Sequence, residues 1–166
     1  MALTTLIELL ERLDEVHHQM LELAVSKKQA IMDNKVEGLI DILNRESKLM
    51  KLTGQLEEQR AQAAYAFLQG VGIRSNLNLN LTELSRLVFD PEDKSRLLQI
   101  QRKLSGTLQS LKDANELNQK LIEQSLTFID YSLDLLVGRP NQDITYHHPS
   151  DKGGSMSRPG LFDARG

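Results

Sequence analysis

The chain contains no cysteine. That excludes disulfide frameworks, Cys-ligated zinc and cysteine nucleophiles, and it agrees with a reducing compartment. Proline is nearly as scarce in the body of the chain: of the four, only Pro91 precedes residue 139, so little interrupts helix formation before the tail. There is no Gly-rich phosphate loop, no Gly-x-Ser-x-Gly elbow and no serine with an associated base, which removes the common routes to phosphoryl and acyl transfer. No surplus of basic charge exists either. A net charge of -3 and a pI near 5.8 lack the clustered Lys and Arg that nucleic-acid phosphates demand. Met1-Ala2-Leu3-Thr4-Thr5 has no basic n-region, and Glu8, Glu11 and Asp14 interrupt the apolar residues beyond it. No secretory signal is visible, and a cytoplasmic protein without a cofactor or catalytic activity is expected.

What remains is helix. With 166 residues, 26% charged and 40% hydrophobic, the chain fits one ordinary domain. Leu3, Leu6, Leu10, Leu13, His17, Met20, Ala24, Lys27 and Ile31 recur in steps of three and four. This is a heptad seam with two polar interruptions, and it predicts a helix over about 3–33. Asp33-Asn34 is a stop, since Asn tolerates the left-handed conformation at a helix end. A second helix starts near Val36 with the stripe Leu39, Ile42, Leu49, Leu52, Leu56, Ala63 and Phe67. Glu46, Thr53 and Arg60 occupy its intervening seam positions, and Gly70 and Gly72 end it.

Between Gly70 and Asn80 the chain is rich in Gly and Asn, with alternation only over Asn76–Leu81. An isolated strand has nothing to pair with, so a loop with anchoring leucines is expected. Thr82, Glu83, Leu84, Leu87, Val88 and Phe89 suggest a short helix. Asp90-Pro91-Glu92-Asp93 is a strong start for the last one: Asp90 caps, Pro91 sits where no amide donor is missed, and the acids complement the helix dipole. That helix runs to about 137. At 1.5 Å per residue it would be roughly 70 Å long, so three long helices plus one short helix should form an elongated antiparallel bundle. Its seam is Leu97, Ile100, Leu104, Leu111, Ala114, Asn118, Leu121, Ser125 and Phe128, with Asn118 and Ser125 as polar intrusions that fix register. Gly106 marks a bend or a close helix approach.

The helical domain should span 1–138, followed by a flexible tail over 139–166. The tail is rich in Pro, Gly and Ser and lacks periodicity, so it should be disordered when free. Ile144-Thr145-Tyr146 and Leu161-Phe162-Asp163 are its two short sticky spots, candidates for linear motifs that order on a partner.

Chemical constellations are thin. Glu15-Val16-His17-His18 has the Glu-x-x-His spacing of helical di-iron proteins, but no second such motif exists. A partly buried His17 and a solvated His18 are the plainer expectation, and no metal site is assigned. A phosphotransfer histidine is disfavoured as well, because neither Lys nor Gly follows His17 and His18 where clearance for a partner is needed.

The unusual stretch is Leu121–Val137. Ten of its seventeen residues are apolar or amphipathic: Leu121, Ile122, Leu126, Phe128, Ile129, Tyr131, Leu133, Leu135, Leu136 and Val137. One packed face uses about three to four per two turns, so this stretch covers two faces. Glu123, Asp130 and Asp134 interrupt it, and it falls short of the roughly 20 apolar residues of a spanning helix, so a protein partner is expected and membrane insertion is not.

The seam at residues 6–50, with its Lys27-Lys28-Gln29-Ala30-Ile31 run, is followed by LEEQR at 56–60. LKDANELNQKLIEQSLTFIDYSLDLL at 111–136 and the tyrosine of ITYHHPSDKGG then complete a pattern that resembles the FlgN family of flagellar export chaperones over residues 3–153. The resemblance implies binding, in the cytoplasm, of the terminal helices of the hook-filament junction proteins FlgK and FlgL, protection from early assembly, and delivery to the export gate protein FlhA. It implies client contacts on the surplus apolar face, where Leu117, Leu121, Ile122, Phe128 and Ile129 are the candidates, and a gate contact at Tyr146. The alternative is a structural coiled-coil protein whose surplus face serves self-association.

Overall fold

The computed structural model describes residues 1–74 and 79–138. The expected tail, its two sticky spots and Tyr146 lie outside the described residues, as does part of the 70–80 loop. Four helices follow in order: α1 (Ala2–Met32), α2 (Val36–Gly70), α3 (Leu81–Ser85) and α4 (Pro91–Val137). The fold is all-α, with no strand among the described residues. Met1–Ile122 forms one compact unit and a second begins at Glu123.

The turns follow from local chemistry. α1 closes with Asn34 N–H bonded to Ile31 O and Lys35 N–H to Ala30 O, while Asn34 takes φ 55°. This is the paired bonding of a Schellman cap, and Asn is the side chain that tolerates the left-handed residue it needs. α2 closes in the same way, with Gly72 N–H on Gln69 O, Ile73 N–H on Leu68 O, and Gly72 at φ 92°. Ile73 then packs against the core that holds Leu68. α3 ends at Ser85, short of the Phe89 that the apolar residues suggest, and its cap is Asn80. Asn80 Oδ1 accepts from Glu83 N–H at 2.8 Å while Glu83 Oε1 accepts from Asn80 N–H at 2.9 Å, a reciprocal capping box. Asp90 caps α4 as expected, accepting from Asp93 N–H at 2.9 Å.

Within the first unit, α1 is the central element. The short turn makes α2 antiparallel to it, and two contacts fix the register: Thr53 Oγ1 donates to Met20 Sδ at 3.9 Å, and Lys27 Nζ to Glu46 Oε1 at 3.2 Å. In the second, polar interruptions of the two seams meet one another, and in the first Thr53 faces the apolar seam residue Met20. α4 runs parallel to α1, since Asp14 meets Thr107 and Ala24, further along, meets Asn118. The core joins Leu6, Ile7, Leu10 and Leu13 of α1 with Leu56, Phe67 and Leu68 of α2, Leu84 of α3, and Leu97, Ile100 and Leu104 of α4. Gln101 Nε2 donates to Thr82 Oγ1 and ties α3 to α4. A Cβ at Gly106 would meet nothing within 4 Å, so this glycine does not mark a close helix approach, and α4 runs through it without a break.

Candidate functional site

Burial along α4 falls off with sequence position. Leu97, Ile100, Leu104, Thr107, Leu111 and Asn118 are buried, Leu121 and Ser125 are half-buried, and Phe128, the next on the same line, is 67% exposed. Thr107 is the member of this seam that the apolar pattern skips. Its hydroxyl donates to Asp14 Oδ1 at 2.7 Å, and Asp14 is itself buried. Lys103 Nζ stands 3.7 Å and His18 Nδ1 3.5 Å from the other Asp14 oxygen. A carboxylate that would be costly to bury alone is thereby provided with a donor and two basic neighbours.

The cluster ties α1 to α4 within the first unit. His18 turns toward Asp14 and Thr107 while Glu15 is exposed, so the Glu-x-x-His pair does not converge. His17 is half-buried, with Nδ1 2.7 Å from Leu13 O. Among the described residues no three His, Cys, Asp or Glu side chains gather as a metal site would require.

The five candidate contact residues divide by burial. In the first unit Leu121 is half-buried on the seam line, whereas Leu117 and Ile122 are exposed. In the second, Phe128 and Ile129 are exposed. Ile129 belongs to a stripe whose other members are not among those five. Leu126, Ile129, Leu133 and Leu136 follow in steps of three and four, are all apolar, and are all at least 49% exposed. Four residues before Leu126, Ile122 has the same spacing in sequence. The stripe has the periodicity by which one helix packs along another. It lies one residue on from the seam line of Leu121, Ser125 and Phe128. A shift of one residue leaves the two lines overlapping in sequence, which is why periodicity alone does not separate them.

A second exposed apolar line runs along α2, beside the stripe that the sequence marks as its seam. Val36, Ile40, Leu43 and Met50 are 43% to 66% exposed and lie one residue on from the buried α2 seam. Among the described residues, no helix is long and apolar enough to cross a membrane.

Comparison with known proteins gives the family. The family model described as FlgN protein matches residues 1–152. An uncharacterized protein of Bacillus subtilis (strain 168), YvyG, is 32% identical over 141 residues, covering 85% of this chain and 84% of its own. No solved structure matches. A match across almost the whole helical chain, joined to an all-α fold whose last helix carries more apolar surface than its packing uses, places the protein in the FlgN family of flagellar export chaperones.

Proposed function

We propose that the protein is a cytoplasmic chaperone that binds the terminal helices of the hook-associated proteins FlgK and FlgL. It keeps them from assembling early and delivers them to the export gate protein FlhA. The observation that carries this reading is the line Leu126, Ile129, Leu133 and Leu136 on α4, every member of which is at least 49% exposed. A client helix that is unassembled presents an apolar stripe of the same period, and laying one along the other removes both from water. Leu117, Leu121, Ile122, Phe128 and Ile129 are the proposed client contacts, with Leu126, Leu133 and Leu136 added to them. Leu121 and Phe128 contribute from the seam line, Ile122 and Ile129 from the exposed stripe, and Leu117 is exposed on neither line. Tyr146 is proposed as the gate contact, which separates the site that holds the client from the site that hands it over.

Isothermal titration with FlgK and FlgL, each full length and each lacking its terminal helix, tests the reading. Tight binding that disappears with the helix supports it. Absence of heat with both full-length clients overturns it, and leaves the self-associating coiled coil as the use of the exposed line.

A further inference from the structure

The exposed line on α2 is longer than its four apolar residues. Val36, Ile40, Leu43, Ser47, Met50 and Gly54 follow in steps of four, three, four, three and four, and all six are exposed and uncharged. That spacing reads the same from either end. Laid against itself in the antiparallel sense, it sets Val36 opposite Gly54, Ile40 opposite Met50 and Leu43 opposite Ser47. Two of the three pairs put a large side chain against a small one, the arrangement that lets facing helices interdigitate. Gly54 has no atom within 4 Å of where its Cβ would stand, so the approach of a facing Val36 is unobstructed.

Charge follows the same symmetry. On the solvent side of the line the first half carries Glu37 and Asp41, and the second half carries Lys48 and Lys51, all exposed. An antiparallel twofold brings Glu37 to the second copy's Lys51 and Asp41 to the second copy's Lys48, each pair occurring twice. A parallel pairing would turn this flank toward the partner's opposite flank and bring neither pair together. Asp41 already holds Arg45 at 3.1 Å, but both are more than 60% exposed, and such a surface pair is weak enough to be shared.

We infer that this face of α2 is a homodimer interface, in which two copies pair antiparallel about a twofold axis near residues 44–46. It stands apart from the client-binding proposal, since it uses α2 and that proposal uses α4. Large-with-small packing and antisymmetric charge make the line complementary to itself.

Sedimentation equilibrium of the full chain over the micromolar range tests it without any client. A monomer–dimer equilibrium is expected, weakened by about tenfold or more in Leu43→Glu, as for a charge placed in an apolar interface. Glu37→Lys alone should also weaken it, and Glu37→Lys combined with Lys51→Glu should restore it. As the chain has no native cysteine, Asn44→Cys gives a check that keeps the apolar line intact. Its position next to the axis predicts a covalent dimer with a short bismaleimide, and Gln109→Cys on α4 should give none. A monomer at every concentration overturns the interface. So does a dimer that withstands Leu43→Glu, that is not restored by the charge exchange, or that leaves Asn44→Cys unlinked.

Discussion

Lys27 Nζ stands 3.2 Å from Glu46 Oε1, an ion pair across the α1–α2 seam in which each side chain is less than a fifth exposed. Both residues occupy positions where a heptad seam asks for an apolar side chain. Each is costly alone, and the antiparallel register brings them together. A slip of one heptad would set Lys27 beside Thr53 or Leu39, leaving two charges unpaired. Polar interruptions that meet only in one register fix that register.

Glu46→Ala should therefore destabilise the fold by about 1–3 kcal/mol, between the cost of breaking an exposed pair and that of breaking a fully buried one. Replacing both partners, Lys27→Met with Glu46→Leu, should recover most of the loss, because no unpaired charge is left. Urea unfolding of the two variants checks this. A double variant no more stable than the single one would show that the pair is not what Glu46 contributes.

The buried hydroxyl of Thr107 has one proton to give, and Asp14 Oδ1 at 2.7 Å receives it. Thr107→Val keeps the shape and removes the donor. Lys103 and His18 remain near the carboxylate, so the expected cost is roughly 1–3 kcal/mol, that of a buried acceptor losing one partner. Thr107→Ser, which retains the donor, should cost less. Equal midpoints for the Val and Ser variants in urea would show that the hydroxyl contributes nothing there.

Much of this architecture is readable from residues alone. The breaks at Asp33-Asn34 and Gly70–Gly72 and the start at Asp90-Pro91 are legible because each terminus carries its own cap chemistry. What escapes is any residue whose type contradicts its burial. Asp14 reads as a solvated acid and Thr107 as a gap in the α4 seam, because each is tolerated inside only through the other, 93 positions away. The apolar surplus of α4 is legible in Leu121–Val137, whereas the exposed line on α2, and the choice of stripe on α4, are hidden for a different reason. Each line runs one residue beyond a buried seam, and spacing alone does not tell which of two adjacent stripes another helix covers.

Asn118 is buried, donates from Nδ2 to Ala24 O at 2.9 Å, and leaves Oδ1 without a partner among the described residues. A half-satisfied amide in a seam lowers stability while favouring one register. Asn118→Leu should raise stability by about 1–2 kcal/mol, since it replaces the half-satisfied amide with an apolar side chain of the same branched skeleton. A lower urea midpoint for the Leu variant would mean that the bond to Ala24 outweighs the unpaired oxygen.

Gly106 lies in the interior of a 47-residue helix with open space where a Cβ would stand. Gly106→Ala should then stabilise by about 0.5–1 kcal/mol through the backbone entropy that glycine forfeits. Thermal unfolding measures it. No gain, or a loss, would mean that the glycine serves a bend or a contact that the free chain does not display.

Phe128 and Ile129 are 67% and 49% exposed, which sets stability and binding apart at these two positions. A residue that gives little to the packed core can take a charge with a stability change within about 0.5 kcal/mol. Phe128→Glu and Ile129→Glu should accordingly unfold at the wild-type midpoint. If a client helix covers them, each charge is stripped of water on binding without a partner, and affinity should fall by about 2 kcal/mol or more, roughly thirtyfold. Tyr146→Ala is the counterpart: client affinity unchanged, association with FlhA reduced. Titration of FlgK and FlgL against the three variants separates the possibilities. Normal affinity in both glutamate variants removes this stretch of α4 from the client site, while parallel loss of client and gate binding in Tyr146→Ala removes the division between holding and delivery.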